Sequence, residues 1–463
     1  MIYLLLFIIY ISIRRFQNSP VYIDENYMLV DLIIAGVLIV IYIYINKGKF
    51  KNILLSHSSI FFLSYLIIYY QYDIDFLLGN TQATNSLAWQ FDSGVCKSLC
   101  ISNAALASFT LALKNTKKSF SSKFNIQFIN TKAITLISVV ALVSFIITVD
   151  KGFILGGYSI VPMGAIASQF EEMLQMSLIA LFVIISYNIR KMNLCRHSVF
   201  LFFQYFKIPL IITFIYILLL SLAGARYAVL RMILVAAISY LYSLRPKIPL
   251  SYILIVVLAL ATLFTLQGLS RNGKNDLSES VEVLNEGASI SPITSELAFS
   301  VTASHIALAE VPDSYEFNKG ITFLPYFLLL IPGMRGLFYT LFNVSPEMLS
   351  SSHFITYIGL GTLDNFGVGS SSIADIYISY GLVGVLIIIY LFGIIVRKLE
   401  YSTFSANITS PYLIAFSYCV YSQMLYSNRE SILTIFTGIP YVLIFVFIAI
   451  KLSKPSYRKS KFI

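Results

Sequence analysis

Apolar runs long enough to cross a lipid bilayer recur along almost the whole chain. A membrane-spanning helix needs about 20 mostly apolar residues, and about twelve segments approach that length. The candidate spans are Met1–Ile13, Met28–Ile45, Ile53–Tyr70, Leu99–Leu113, Ala133–Val149, Met173–Ile189, Ile208–Leu222, Ala228–Leu244, Leu250–Leu266, Ile373–Val396, Tyr412–Tyr426 and Ile432–Ile450. Hydrophobic residues make up 58% of the 463 residues and charged residues only 12%, whereas about 25% of an average soluble domain is charged. The sequence therefore excludes a water-soluble globular enzyme and predicts an all-α polytopic integral membrane protein.

The basic residues fall into two sets of loops that alternate along the chain. Of the 32 Lys and Arg residues, 21 lie in one set, which includes Arg397, and 10 lie in the other, which includes Arg14 and Arg15. The remaining residue, Arg231, lies inside a span. Because cytoplasmic loops carry the excess of Lys and Arg, we expect the richer set in the cytoplasm together with both termini. The net charge of +10 is then a topology signal, and no basic stripe in a soluble segment indicates a nucleic-acid partner. The first apolar run lacks the basic region and cleavage site of a removed signal, so we expect it to be a retained span.

One loop is far longer than the others and divides the chain into three parts. We expect residues 1–266 to form a membrane domain with spans 1 to 9, residues 267–372 a large outer loop, and residues 373–463 a second membrane part. The loop contains a predicted helix, Pro292–Ala309, with proline in its first turn. It also contains an apolar run, Gly320–Pro332, that is too short to span and is interpreted as interfacial or re-entrant. Long loops with helices of their own usually carry function, so binding or chemistry is expected on the outer face.

Four arginines on the expected outer side are candidate ligands for an anionic substrate. Arg226 ends the turn between two spans, and Arg231 lies inside the second of them, where a charge should face a cavity or a partner. Arg271 and Arg335 lie in the long loop. A guanidinium is permanently charged and binds phosphate oxygens in a bidentate manner, so these side chains could clamp a lipid diphosphate and stabilise it as it departs. The alternatives are snorkelling for Arg226, a buried pair for Arg231, and solvated loop charges for the others.

A glycine- and serine-rich stretch, Gly367–Tyr377, leads into the next apolar run. Glycine permits a close backbone approach, and a serine can cap the helix that follows. Because a helix N-terminus attracts anions through its free N–H groups and its dipole, Gly369, Ser370 and Ser371 are candidate diphosphate ligands. Asp375 falls in the first helical turn, where a carboxylate is stabilised, and is a candidate catalytic residue. The alternative is plain capping of the helix.

Three further candidates for a catalytic base lie in the long loop. Glu296, Ser300 and Ser304 are spaced by four residues on the predicted loop helix and form one polar stripe. This stripe either faces solvent or lines a sugar groove, with Glu296 or the adjacent His305 near the hydroxyl that reacts. His353, further along the loop, is the other candidate. Removing a proton from a hydroxyl nucleophile needs a positioned base, and spacing alone does not choose between these residues.

The sequence indicates neither a metal site nor a cofactor. The four His and four Cys residues are scattered without the spacing of a metal site. In a short outer loop near the C-terminus, Arg429 and Glu430 are expected to form a local ion pair. Tyrosines of the outer segments could stack on sugars or pack at the membrane interface. These tyrosines are Tyr315, Tyr326, Tyr339 and Tyr357.

The stretch from Glu296 to Gly381 resembles the bacterial Wzy-type O-antigen or capsular polysaccharide polymerases. The matching pieces are Ser295–Glu296, Asn318–Pro325, Ile331–Pro332, Gly367–Tyr377 and Tyr380–Gly381. The turn Leu222–Arg226 is similar to a span-end arginine that these polymerases share with the O-antigen ligases. The sequence departs from the family pattern at Asp375, where the family more often has Glu.

The resemblance implies a reaction, a fold and a cellular location. A growing glycan on undecaprenyl diphosphate would be transferred to the free end of a new lipid-linked repeat unit on the periplasmic face of the bacterial inner membrane. The acceptor hydroxyl would attack the anomeric carbon, and undecaprenyl diphosphate would leave. The fold would be similar to the integral-membrane GT-C glycosyltransferases, and the ligase relatives suggest metal-independent catalysis. The implied partners are the undecaprenyl-diphosphate-linked oligosaccharide and the lipid bilayer, with a chain-length regulator and a flippase of the same pathway as further candidates.

Two other functions stay open from the sequence. An O-antigen ligase would use the same physics, so the sequence separates it poorly from a polymerase. A lipid-linked oligosaccharide flippase or other transporter would line its midplane with charges along several spans. The spans here carry few charges apart from Arg231, and no internal repeat is visible. The polymerase is therefore the favoured interpretation.

Overall fold

A computed structural model provides the architecture, and it is helical throughout the part of the chain that it describes, with no strand there. The described residues are 1–48, 53–79, 87–117, 128–156, 163–192, 199–246, 248–249, 251–253, 255, 294, 297–328, 340–341, 344–363, 367–404 and 409–453. The sequence-based expectation of an all-α protein is confirmed at this level.

The helices follow the apolar runs of the sequence. They are α1 Ile2–Gln17, α2 Glu25–Asn46, α3 His57–Leu77, α4 Asp92–Asn115, α5 Lys132–Thr148, α6 Lys151–Gly156, α7 Ala165–Lys191, α8 Val199–Tyr205, α9 Lys207–Leu222, α10 Arg226–Leu244, α11 Val301–Glu310, α12 Leu324–Leu328, α13 Ser351–Leu360, α14 Ser372–Phe404, α15 Pro411–Gln423, α16 Thr434–Thr437 and α17 Ile439–Leu452. Short 3₁₀ helices occur at Ile53–Leu55, Leu87–Trp89, Ile321–Phe323 and Pro346–Leu349. A helix overlaps each of the other expected spans, and in Leu250–Leu266 only residues 251–253 and 255 are described, all of them helical.

Fewer helices meet the length and hydropathy of a membrane span than the sequence suggests. Within the described residues, six segments meet both requirements: α2, α4, α7, α10, α14 and the α16–α17 pair. The bent pair α8–α9, whose axes differ by 84°, would make seven. Helix α5 is apolar but shorter than a span. The expected number of about twelve is thus not confirmed, while the membrane character of the chain is plain.

Helix ends are fixed by side chains that replace missing helical hydrogen bonds. Asp24 accepts a hydrogen bond from the backbone of α2, Ser56 does the same for α3, and Ser350 does so for α13. At the other end of α13, Gly361 takes a left-handed conformation with φ of +72°. These are the residue types expected at N-caps and C-caps, so local sequence explains where these helices begin and end.

Helix α4 forms the centre of one half of the molecule. It packs against α1, α2, α11 and α14, and nearly all of its residues are buried. Close approach of α14 depends on small residues, because a Cβ on Gly393 would stand 2.8 Å from Cβ of Ala112. Ser108 also donates a hydrogen bond of 2.9 Å to the carbonyl oxygen of Leu386. Small residues let membrane helices come into contact along their backbones, which accounts for the low bulk of this helix face.

A second group of helices surrounds α7. Helices α5, α10, α15 and α17 pack against it, and α15 also contacts α14. Residues 174–184 of α7 are all buried. The two groups therefore meet along α14 and α15, and the N-terminal end of α14 lies where the candidate site is found.

Helix α14 is broken near its start. Gly381 has φ of +64° and ψ of −165°, which is not helical. The ring of Phe317 lies 3.4 Å from the position a Cβ would take at Gly381. Asn318, which lies in the segment before α12, is held at this break. Its backbone N–H donates a hydrogen bond of 2.9 Å to the carbonyl oxygen of Ile378. The first turns of α14, which carry Asp375, are thus set apart from the long apolar part of the helix.

Two groups of basic residues that the sequence assigned to loops lie in helices. Arg397, expected in a cytoplasmic loop, is fully buried within α14 and pairs with Glu400 at 2.8 Å. Arg15, expected in an outer loop together with Arg14, lies in the last turn of α1 and pairs with Asp31 at 2.9 Å. The loop assignment was wrong for these residues because a charged residue at the end of an apolar run becomes helical when an acidic partner offsets its desolvation.

The predicted start of the loop helix, Pro292, lies outside the described residues, as do residues 291, 293, 295 and 296. Within the described part, α11 covers Val301–Glu310, which overlaps the second half of the predicted Pro292–Ala309 helix. Within the apolar run Gly320–Pro332, residues 321–328 form a 3₁₀ turn followed by α12. Its assignment as interfacial or re-entrant stays a prediction.

Candidate functional site

Asp375 is fully buried in the first turn of α14 and has unequal surroundings at its two carboxylate oxygens. The hydroxyl of Ser431 donates to Oδ2 at 2.7 Å. The hydroxyl of Ser351 and the backbone of Ile432 also interact with this carboxyl group. Oδ1, however, has no hydrogen bond of good geometry among the residues that the structure describes. A buried acceptor in this state costs about 1–3 kcal/mol, so Asp375 keeps one oxygen ready for a further donor.

Tyr326 interacts with the residues that contact this carboxyl group, and Glu430 precedes one of them, Ser431, in the chain. The phenol of Tyr326 interacts with Ser431 and Ser351 and senses the charge of Asp375. Burial raises the pKa of Tyr326 above its ordinary value, so the phenol stays neutral and able to donate. Burial likewise raises the pKa of Glu430, while the neighbouring Arg429 acts in the opposite direction. The sequence named Tyr326 as a residue that could stack on sugars or pack at the membrane interface, and in the structure its phenol interacts with Ser431 and Ser351, which contact Asp375.

The N-terminus of α14 has its first backbone N–H groups occupied by protein acceptors. The backbone N–H of Ser372 donates to the carbonyl oxygen of Asn428 at 3.3 Å, and that of Ile373 donates to the phenol oxygen of Tyr69 at 3.2 Å. The next two N–H groups both donate to Ser371: that of Ala374 to Oγ at 3.2 Å and that of Asp375 to the carbonyl oxygen at 2.9 Å. Ser370 and Ser371 are buried, and Gly369 has φ of +86°. Of the two interpretations that the sequence left open, this geometry favours capping over anion binding by the N–H groups.

The polar stripe of the loop helix is buried instead of facing solvent. Ser304 shares a hydrogen bond of 2.7 Å with Ser371, which joins α11 to the start of α14. Ser300 and His305 are also buried. The solvent-facing alternative is therefore wrong for Ser300 and Ser304. Glu296 lies outside the described residues.

His305 faces α4 and its neighbours. Its ring centroid lies 6.0 Å from that of Trp89. Its backbone packs so closely on α4 that a Cβ at Gly94 would stand 2.0 Å from the carbonyl oxygen of His305. These contacts place His305 in the packing between α11 and α4, whereas the hydroxyl of its neighbour Ser304 reaches α14.

His353 is exposed, and its ring is engaged at the start of its own helix. Nδ1 shares a hydrogen bond of 2.6 Å with the hydroxyl of Ser350, the residue that caps α13. The residue of α13 that reaches Asp375 is Ser351. Sequence reasoning missed Ser351 and Ser431, because no spacing rule connects either of them with Asp375.

Arg231 forms a second polar centre on α10. It lies inside a candidate span and is only 6% exposed, as the sequence predicted for a charge at membrane depth. Its Nη1 donates to Oε1 of Gln175 at 2.7 Å, and the side-chain amide of Gln175 donates to Glu171. Arg226 is the first residue of the same helix and is half-buried.

The segment 424–433 connects the two polar centres. Ser431 contacts Asp375, and its neighbour Glu430 interacts electrostatically with Arg231. At the other end of the segment, the ring of Tyr426 lies 5.0 Å from that of Tyr227, which follows Arg226 on α10. Residues of this one segment thus contact the carboxylate of Asp375 and interact with the guanidinium of Arg231. We call Asp375, Arg231 and segment 424–433 together the Asp375–Arg231 region.

Several predicted residues are not part of this geometry. Arg271, Arg335 and Tyr339 lie outside the described residues. A cavity of about 350 Å³ lies elsewhere, near the ends of α5, α7 and α9, where Asn188 and Lys207 line it. In the described part of the chain, no group of three or more His, Cys, Asp and Glu side chains is arranged to hold a metal ion.

Comparison with known proteins gives the family. The model of the O-antigen polysaccharide polymerase Wzy family matches residues 1–461, which is essentially the whole chain. No curated protein and no solved structure shows significant similarity. The match favours the polymerase over the ligase and the transporter, and members of this family act on lipid-linked oligosaccharide repeat units in the membrane. The chain therefore belongs to the Wzy family of O-antigen polysaccharide polymerases.

Proposed function

We propose that the chain joins undecaprenyl-diphosphate-linked repeat units at the Asp375–Arg231 region, on the periplasmic face of the bacterial inner membrane. The observation that carries this proposal is the buried carboxylate of Asp375, which has an available oxygen and is linked through segment 424–433 to a buried arginine. A base and a permanent cation in one polar region are what glycosyl transfer from a lipid diphosphate requires.

The reaction follows from these two groups. The acceptor sugar hydroxyl attacks the anomeric carbon of the growing glycan, and the bond between that carbon and the diphosphate oxygen breaks. Asp375 takes the proton that the hydroxyl loses, at its available Oδ1. The diphosphate leaves with negative charge, which Arg231 and Arg226 stabilise. Tyr326 contributes a neutral hydroxyl that can orient the acceptor.

The remaining candidate residues are proposed in narrower roles. Gly369, Ser370 and Ser371 shape and cap the start of α14 and so hold Asp375 in place. Arg271 and Arg335 are proposed as further diphosphate ligands from the long loop. Glu296, His305 and His353 are the alternative bases, and the contacts of Asp375 with Ser431 give it the stronger support.

The finer architecture is also a proposal. We infer about twelve spans in a GT-C-like arrangement, with residues 1–266 and 373–463 in the membrane, residues 267–372 as a periplasmic loop, and both termini in the cytoplasm. The overlap of helices with the apolar runs and the bias of Lys and Arg between loops support it. Metal-independent catalysis is proposed because Arg231 supplies a permanent positive charge. A chain-length regulator and a flippase are the proposed protein partners.

The test is complementation of a polymerase-deletion strain with full-length variants, followed by the length distribution of the glycan. Asp375→Asn and Arg231→Ala should leave single repeat units in place of long glycan. Asp313→Asn is the matched control, because Asp313 is exposed and pairs only with Lys97 at 4.0 Å in the described structure. Long glycan made by a well-expressed Asp375→Asn variant would refute the assignment of the base.

A further inference from the structure

A chain of hydrogen bonds links the buried Arg231 to a half-buried carboxylate on α7. Nη1 of Arg231 donates to Oε1 of Gln175 at 2.7 Å. The side-chain amide of Gln175 donates to Glu171 and, at 2.8 Å, to the phenol oxygen of Tyr216. The hydroxyl of Tyr216 donates to the carboxylate of Glu171. Helices α7, α9 and α10 are therefore joined at one polar point, and Glu171 orients the amide that holds the guanidinium.

This arrangement occupies one edge of the guanidinium and leaves another without a strong acceptor. Among the described residues, Nε of Arg231 has no hydrogen-bond partner. Nη2 reaches only the sulfur of Met176, at 3.9 Å, and a thioether is a weak acceptor. Nε and Nη2 lie on one edge of the planar group, where two parallel N–H donors can bind two oxygens of a phosphate. Leaving buried donors unpaired is unfavourable, so this edge is suited to an anionic ligand.

Gly438 keeps the space beside this edge free. A Cβ at this position would stand 3.0 Å from Nη2 of Arg231 and 2.8 Å from the sulfur of Met176. The backbone does not require glycine here, because its φ of −77° is accessible to any residue. Glycine at position 438 therefore matters for the space it leaves.

We propose that Glu171 is a positioning residue of the polymerase, which acts through Gln175 to hold Arg231 with its Nε–Nη2 edge toward one oxyanion of the substrate diphosphate. This proposal rests on the proposed function, which assigns Arg231 to the diphosphate. Glu171 balances the charge of Arg231 through a neutral amide and not by direct contact. A carboxylate placed directly on the guanidinium would form an ion pair and compete with the substrate.

The experiment separates positioning from simple structural support. Full-length variants are purified in detergent and assayed with a lipid-diphosphate-linked repeat unit, and kcat, KM and inhibition by inorganic pyrophosphate are measured. Glu171→Gln should raise both KM and the inhibition constant of pyrophosphate about tenfold, and it should change kcat less. Loss of a residue that orients a ligand has an effect of this size at metal sites. Gln175→Glu should raise both further. Glu172→Gln, an exposed neighbour on α7, is the matched control and should change neither.

A third variant covers the case in which Gln175→Glu does not fold. Gly438→Ala leaves the hydrogen bonds of Glu171 in place but narrows the space at the edge, so it should also raise KM and weaken inhibition by pyrophosphate. Folded Glu171→Gln and Gly438→Ala variants with unchanged KM and unchanged inhibition would overturn the positioning role. If Arg231→Ala also leaves polymerisation and inhibition unchanged, the assignment of Arg231 in the proposed function fails as well. The two failures are thus distinguishable.

Discussion

The hydroxyl of Ser431 donates a hydrogen bond of 2.7 Å to Oδ2 of Asp375, although the two residues are 56 positions apart in the chain. Ser431 lies in the segment after α15, and Asp375 lies in the first turn of α14. The bond therefore holds this segment against the helix start and fixes one face of the carboxylate. Its other oxygen is left without a bond of good geometry in the described part of the chain. A carboxylate held in this way is oriented to accept a proton at Oδ1.

Ser431→Ala should lower the rate of polymerisation about tenfold or more. The variant removes a hydrogen bond to a charged group, worth about 1.5–3 kcal/mol, and frees the carboxylate to rotate. Ser427→Ala is the matched control, since Ser427 is buried in the same segment but donates to the carbonyl oxygen of Met424 at 2.8 Å. Rates are measured on purified protein with a lipid-linked repeat unit. Equal rates for the two variants would show that the bond to Asp375 has no part in catalysis.

Tyr326→Phe distinguishes a role of the hydroxyl from a role of the ring. If Tyr326 stacks on sugar, the phenylalanine variant should retain activity. We expect instead a loss of activity of about tenfold, because the phenol interacts with Ser431 and Ser351 and the variant removes one hydrogen bond near a charge. Burial raises the pKa of Tyr326, and the ordinary value is about 10. Ionisation of this group should therefore cause no loss of activity up to about pH 9. A fall in wild-type activity below that pH that disappears in Tyr326→Phe would contradict this.

The sequence located the helices well because hydropathy is a local property. It also placed Asp375 in the first turn of a helix after a serine cap, since both depend only on neighbouring residues. The spacing of Ser300 and Ser304 correctly put them on one face. Whether that face was buried depended on α14, which follows more than 60 residues later, and no local pattern records such a contact.

Long-range pairs account for the other differences between sequence and structure. Arg397 was assigned to a loop because a charge at the end of an apolar run usually marks the membrane boundary. It is instead buried, since the carbonyl oxygen of Leu113 and the side-chain oxygen of Asn46, both distant in the sequence, accept hydrogen bonds from it in addition to the nearby Glu400. Ser431 was not recognised as a ligand of Asp375 for the same reason. These pairings depend on how the helices pack against one another, and local patterns in a single sequence do not reveal that packing.

Gly320→Ala should destabilise the segment that packs on the break of α14. Gly320 has φ of +84°, and a Cβ there would stand 2.2 Å from the phenol oxygen of Tyr380. The left-handed conformation alone costs alanine about 1–2 kcal/mol. Gly361→Ala is the matched control, because Gly361 has φ of +72° but nothing within 4 Å of its Cβ position. Thermal unfolding in detergent should show a larger loss for Gly320→Ala, whereas equal losses would assign the whole effect to the backbone.

Tyr380→Phe tests the same contact from the other side. It removes the phenol oxygen at 2.2 Å from the Cβ position of Gly320 but leaves Cζ of the ring at 2.9 Å, so the double variant should recover only part of the loss that comes from the clash. The part that comes from the left-handed backbone should remain. A double variant no more stable than Gly320→Ala would show that the segment relaxes around the added methyl group without help from Tyr380.

Glu400→Gln should destabilise the protein strongly without changing the rate of the folded molecules. Arg397 and Glu400 are both fully buried and lie 2.8 Å apart. Removing one partner of such a pair typically costs about 3–5 kcal/mol, because the other charge is left buried without compensation. The pair lies about 35 Å along α14 from Asp375, at a rise of about 1.5 Å per residue. The chemistry should therefore be unaffected.

The comparison for this variant is Asp313→Asn, which removes a pair with Lys97 whose atoms are 4.0 Å apart and whose aspartate side chain is 72% exposed. An exposed pair contributes about 0–1 kcal/mol, so this variant should unfold close to the wild-type temperature. Arg397→Met combined with Glu400→Gln should recover part of the loss, since no uncompensated charge remains buried. Thermal unfolding and kcat are measured on the same preparations. A loss of kcat in folded Glu400→Gln would show instead that this end of α14 is coupled to the Asp375–Arg231 region.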